Sequence, residues 1–297
     1  MQTSFYLTGS RDNLIPLNPI TMEIKHILVP VDFSPCSNNA LRLAADLAKK
    51  WDSKVFALHA TVIPEAYMTV AGTYTPIDMG PLHQEVSQSF ELMKKEIPAL
   101  GEISYEPIET NLNLVDGLDD AIHSRQIDLI IMGTRNEHDR LERILGTHAS
   151  EVIESAHVPV LMIPGGTEAF HPLKIGFATD AKSITHVSRL GYIAELAAYF
   201  NATIDIFFVA KPNESMDFDL SSSKKVLERY FQNLDYKFHN LQNEHLRHGI
   251  QSFLDENGID LLAMIPRHHS ALYRLLHGST TKYMAQHIAI PLLALPE

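Results

Sequence analysis

The stretch GLDDAIHSRQIDLIIMG (Gly117–Gly133) recurs 132 positions later as GIQSFLDENGIDLLAMI (Gly249–Ile265), and no gap is needed from there to the end of the chain. Gly117 meets Gly249, Ile127 and Asp128 meet Ile259 and Asp260, Arg135 meets Arg267, Gly146 meets Gly278, and Pro159 and Pro164 meet Pro291 and Pro296. A period this long marks duplicated whole domains rather than a solenoid. The total of 297 residues agrees, since a domain of ordinary size has about 150. The copies part at Gly133, whose counterpart is Ile265.

Each copy alternates strand and helix signals. In copy one, HILVPVD is a nearly continuous β-branched run, as in a strand buried on both faces. FSPCSNN follows, with Ser34, Ser37 and Asn38 as candidate N-caps and Pro35 as a helix-start residue. Ala40, Leu43, Ala44, Leu47, Ala48 and Trp51 then recur at helical spacing. KVFALHA is the second strand, Pro64–Pro81 a loop, and Leu82, Val86, Phe90, Met93 and Ile97 one helix face. ISYEPIET is a strand near an edge, because Pro107 cannot donate to a ladder. A helix around Leu118, the strand DLIIMG, a helix from about Thr147 to Ala156 and the strand VPVLMIP complete the copy.

Copy two repeats this plan from KIGFATD to IPLLALP. The expected fold class is α/β: two doubly wound parallel five-stranded sheets in tandem, with right-handed crossovers. The expected boundaries are an extension over residues 1–22, a first domain over 23–165, a linker over 166–171 and a second domain over 172–297. Residues 1–22 fit no strand or helix pattern and lack signal-peptide features. They read as a disordered extension or a non-native start, since Met22 directly precedes the first strand.

A net charge of −12 and the absence of a basic stripe argue against a nucleic-acid or anionic-membrane partner. No apolar run approaches the roughly 20 residues of a membrane span. The single cysteine, Cys36, rules out an internal disulfide and fits a reducing cytosol, so the expected location is cytoplasmic.

Ligands of doubly wound sheets bind at the carboxyl ends of the strands, where the strand order reverses. Asp32 closes the first strand, placed either to accept hydrogen bonds from ribose hydroxyls or an adenine amine, or only to cap the next turn. After DLIIMG, Gly133, Asn136 and Gly146–Thr147 form G-x2-N-x9-G-T. Glycine there lets backbone approach a phosphate, and Gly146–Thr147 opens the last helix, whose free amides favour an anion. Arg135 is placed to neutralise it. An ordinary glycine turn with a threonine N-cap accounts for the same residues.

The 16 histidines, including His245/His248 and His268/His269, form no metal-ligand motif, so no metal site is expected. No nucleophile elbow, P-loop or dinucleotide turn is present, and no catalytic residue stands out.

Taken together, ILVPVDFS, VFALHA, G-x2-N-x9-G-T and VPVLMIP resemble the universal stress protein family in its tandem two-domain form, across both copies from Glu23 to Glu297. The family's ATP-binding members carry G-x2-G-x9-G-[ST]. The resemblance implies the adenine-nucleotide α-hydrolase-like fold. It implies that Asp32 contacts the nucleoside, that backbone around Ala60 holds the adenine edge, and that Gly133, Arg135, Gly146 and Thr147, with His148 or Ser150, contact phosphates. Asn136 stands in place of the second glycine; asparagine enters left-handed backbone more readily than most residues.

In copy two, Ile265 precedes Pro266, which favours extended backbone and removes an amide donor. ATP, with or without Mg2+, is therefore expected in domain one only. The resemblance further implies internal pairing of the copies through VPVLMIP and IPLLALP, a homodimer of chains, and a sensor or regulator with at most slow ATP hydrolysis. A scaffold that binds no nucleotide is the alternative, and an adenylate-transferring or adenylate-hydrolysing enzyme ranks below both.

Overall fold

The computed structural model describes residues 6–7, 15–16, 22–61, 78–134, 151–153, 155–167, 170–179, 187–212, 220–265 and 290–296. Near the start, β1 (Tyr6–Leu7) and β2 (Ile15–Pro16) form an antiparallel pair. Two residues per strand are too few to carry an alternation that a sequence reading could detect.

Copy one supplies β3 (His26–Pro30), α1 (Pro35–Trp51), β4 (Lys54–Ala60), α2 (Gly80–Glu96), β5 (Ser104–Thr110), α3 (Leu114–Arg125), β6 (Leu129–Thr134) and β7 (Val160–Pro164). Copy two supplies β8 (Lys174–Ala178), α4 (Leu190–Phe200), β9 (Thr203–Ala210), α5 (Leu220–Tyr230), β10 (Tyr236–Gln242), α6 (Leu246–Asn257), β11 (Leu261–Met264) and β12 (Leu292–Ala294). Residues 151–153 and 155 are helical, the last turn of the helix expected to end near Ala156.

The two five-stranded sheets join through their last strands into one of ten strands, in the order β10-β9-β8-β11-β12-β7-β6-β3-β4-β5. Every neighbouring pair is parallel except β12 with β7, which run antiparallel and set Leu293 opposite Leu161. The physical reason is edge disposal. Each half would end on a short apolar strand with unpaired peptide groups, and each supplies the other's missing neighbour. The outer edges are β10 and β5, and β5 carries Pro107, as that residue's missing donor requires.

Two buried layers cover the sheet, and both run through both copies. One gathers Leu41, Leu47 and Phe90 with Leu196, Phe200 and Phe231; the other gathers Leu118 and Ile122 with Ile250 and Phe253. The copies are also fastened by polar contacts. Tyr192 Oη donates to the Asp128 carbonyl at 2.9 Å, and Arg189 Nη2 donates to the His157 carbonyl at 3.3 Å. Burial, then the nearby Asp128, pushes the Tyr192 phenol up to about 12.

The residues shared by the repeat hold the same local geometry twice. The Lys25 and His26 N–H groups donate to Asp128 Oδ2 at 2.8 and 2.9 Å, and those of Leu173 and Lys174 donate to Asp260 Oδ2 at 2.9 and 3.0 Å. One carboxylate thus fixes the start of the first strand in each half. Gly117 and Gly249 also do one job. A Cβ on Gly117 would lie 2.7 Å from Thr110 Cγ2, and one on Gly249 would lie 2.6 Å from Val209 Cγ1.

Candidate functional site

Within each half the strand order is third, second, first, fourth, fifth. The reversal point in copy one therefore lies between β3 and β6, at their carboxyl ends. Asp32 lies two residues beyond β3, and Gly133 lies at the end of β6. Sequence and topology thus bring these two expected site residues to one crevice.

The chain turns sharply after β3. Phe33 has φ +61°, a conformation rare for a bulky side chain and costing about 1–3 kcal/mol. Its ring is gripped by His59, with centroids 4.7 Å apart, and by Phe90 at 5.1 Å. The turn sets Ser34 as N-cap of α1, its Oγ accepting from the Ser37 N–H at 3.3 Å, and Pro35 opens the helix. Of the three candidate caps, Ser34 serves.

Asp32 is exposed, and its Oδ1 accepts from the Ser34 N–H at 3.1 Å. The capping role weighed from the sequence is therefore present. A carboxylate offers about four acceptor positions, so an exposed one that caps a turn can still accept from a ligand hydroxyl.

Gly133 has a structural reason beside the one its spacing suggested. A Cβ there would lie 2.6 Å from the Cys36 carbonyl carbon and 3.0 Å from the Ser37 nitrogen, and closer still to the Cys36 oxygen. The end of β6 and the first turn of α1 meet backbone to backbone. A side chain at this position cannot coexist with that approach. Copy two has Ile265, partly buried against the core, and among the described residues its regular helix starts only at Leu190, after a 3-10 turn over Val187–Arg189.

Ala60 ends β4. Its register partner is Thr110 on β5, and the Thr61 N–H donates to the Thr110 carbonyl at 2.8 Å. Parallel strands alternate the neighbour they bond. Leu58 bonds toward β3, accepting from the Val31 N–H at 2.8 Å, so the Ala60 peptide groups also face β3, which has already ended at Pro30. A donor and an acceptor thus face the crevice, the arrangement needed to meet the edge of a base.

Arg135, Asn136, Gly146, Thr147, His148 and Ser150 lie outside the described residues, as do Asp180, Pro266, Arg267, His268, Gly278 and Ser279. Just past β7, Gly166 has φ +88°, and the Gly165 N–H donates to the Thr134 carbonyl at 2.5 Å, so the exit of copy one is tied to the end of β6. An open cleft of about 460 Å³ is lined by Asn113, Val115, Asp116, Glu151 and Ser155. Two carboxylates make it a poor seat for phosphate.

Sequence reasoning missed His59, Phe33 and the pair His83–Glu109, whose Nδ1 and Oε1 lie 2.8 Å apart at the ends of β5 and the start of α2. None belongs to a spacing motif; only the strand register brings them together. His245 and His248 pack ring to ring at 5.5 Å, and among the described residues no group of three or more His, Cys, Asp or Glu could hold a metal ion. No helix among them is long and apolar enough to cross a membrane.

Comparison with known proteins gives one answer. The model of the universal stress protein family matches residues 23–164 and again 173–296. A universal stress protein of Synechocystis sp. is 27% identical over 214 residues, covering 71% of this chain and 72% of its own length. Universal stress protein A of Photorhabdus laumondii is 30% identical over 146 residues, 48% of this chain and 96% of that protein. A solved universal stress protein structure from Archaeoglobus fulgidus DSM 4304 aligns with a TM-score of 0.68 at 18% identity, covering 93% of this chain and 99% of the other.

Proposed function

The chain belongs to the universal stress protein family, and from that premise we propose that it is a stress-response sensor or regulator that binds ATP or a related adenine nucleotide in copy one only. The observation that carries the reading is the strand-order reversal between β3 and β6, which gathers Asp32, the Ala60 peptide edge and Gly133 at one crevice. Asp32 would hold the ribose or base and Ala60 the base edge. Arg135, Asn136, Gly146, Thr147, His148 and Ser150 would hold the phosphates, with or without Mg2+. The role is one of binding, with at most slow hydrolysis, in the cytoplasm.

Copy two serves as partner rather than second site, since Ile265 and Pro266 replace the glycine and an amide donor. Because β7 and β12 are consumed within the chain, a homodimer would use other surfaces.

A scaffold that binds no nucleotide is the second reading. It is favoured by one observation: the contact with Cys36 accounts for Gly133 without any ligand. Thermal denaturation with ATP and Mg2+ separates the two. A ligand at a hundred times its Kd contributes about 2.7 kcal/mol, or roughly 4 °C for a chain of this size. No shift at millimolar ATP supports the scaffold.

A further inference from the structure

The β3–β4 ladder stops early, and a side chain occupies the carbonyl at which it would continue. The last registered pair is Pro30 with Leu58, followed by the Val31 N–H donating to the Leu58 carbonyl at 2.8 Å. In a continuing parallel ladder the next bond would run from the Ala60 N–H to the Val31 carbonyl. That carbonyl instead lies 2.8 Å from His59 Nδ1. A carbonyl oxygen can only accept, so Nδ1 carries the proton and the tautomer is fixed by this contact. The imidazole is held in place by Phe33, whose left-handed backbone presents its ring 4.7 Å from that of His59 and 5.1 Å from that of Phe90.

We propose that His59 is a positioning residue for the nucleotide site: by taking the Val31 carbonyl it keeps the Ala60 N–H out of the β3–β4 ladder and leaves the β3-facing N–H and C=O of Ala60 to read a purine edge. The inference rests on the nucleotide reading above. An outward N–H beside an outward C=O matches a base that offers a ring-nitrogen acceptor next to an exocyclic amine, as adenine does. It mismatches hypoxanthine, which offers an N–H and a carbonyl in those places. Two like-facing groups then oppose each other unpaired, the kind of mismatch that discriminates strongly. The strain at Phe33 fits this role, because it is spent where the ring must be fixed.

Two measurements on the full chain test it. The first needs no nucleotide: hydrogen exchange of the Ala60 amide should be fast in the wild type and slowed at least tenfold in His59→Leu, where the ladder can extend to Val31. An Ala60 amide already as protected as those of Val55 and Ala57 overturns the inference.

The second compares ATP with inosine triphosphate by equilibrium binding. The wild type should favour ATP by at least roughly tenfold, since two groups are mismatched and one alone is on that scale. His59→Leu should bring the ratio near one. His59→Asn, whose Nδ2 can replace Nδ1 on the Val31 carbonyl, should restore it. A ratio unchanged in His59→Leu, or not restored by His59→Asn, overturns the proposal and leaves nucleotide binding standing. A wild type that binds neither nucleotide overturns the nucleotide reading and, with it, the purine-reading role; the exchange result then judges the ladder stop alone.

Discussion

The backbone of Cys36 lies directly against Gly133: a Cβ at 133 would stand 2.6 Å from the Cys36 carbonyl carbon. This approach joins the start of α1 to the end of β6, the two elements that flank the crevice. We expect Gly133→Ala to destabilise the fold by about 2 kcal/mol, in the range of other overpacked sites, and to weaken any ligand in the crevice. Chemical denaturation checks the first part, and an unchanged midpoint would mean that the two backbones are not in contact.

The paired carboxylates Asp128 and Asp260 each accept from two strand-start amides. Replacing either with Ala should cost about 2 kcal/mol, the scale of hydrogen bonds to a charged group. Asp128→Ala should cost at least as much as Asp260→Ala, because its site is more buried. Urea unfolding of both variants gives the comparison.

Leu161 and Leu293 are fully buried and face each other across the only antiparallel seam of the ten-stranded sheet. Either Leu→Ala change should cost about 3 kcal/mol. The double variant should lose less than the sum, as neighbours sharing one cavity do. Strict additivity in denaturant titrations would place the two residues apart.

Glu106 is held below the usual carboxylate range, first by its hydrogen bond from Lys54, with Lys54 and Arg125 charges adding to it and partial burial opposing. A depressed native pKa contributes stability above the unfolded value, 4.5 here, and loses it as pH falls through the lowered native value. The side chain is one-third exposed, 33%, so the effect should be only ~0.5 kcal/mol. Melting curves of Glu106→Gln and wild type should differ at pH 7 and converge in acid; a gap that widens in acid reverses the assignment.

Much of the fold was legible from two sequence features. The 132-residue repeat announced the duplication, and the alternation of β-branched runs with amphipathic segments announced a parallel sheet. Pro107 placed β5 at an edge, and Ser34–Pro35 marked the start of α1 correctly. The joining of both halves into one sheet was readable only in part: VPVLMIP and IPLLALP suggested pairing, but pairing of edges is settled by three-dimensional register.

The site was less legible. Asp32 and Gly133 follow from strand ends, yet the packing reason for Gly133 lay 97 positions earlier, at Cys36. His59 and Phe33 were missed because their roles are a carbonyl taken from a ladder and a left-handed turn, neither of which leaves a spacing pattern.

The most direct test of the central claim is the stoichiometry of ATP binding to the full chain, measured by calorimetry in the presence of Mg2+. We expect one ATP per chain, with binding abolished by Asp32→Ala and retained in Asp180→Ala. Two ATP per chain, none, or a site that survives Asp32→Ala but not Asp180→Ala would contradict it.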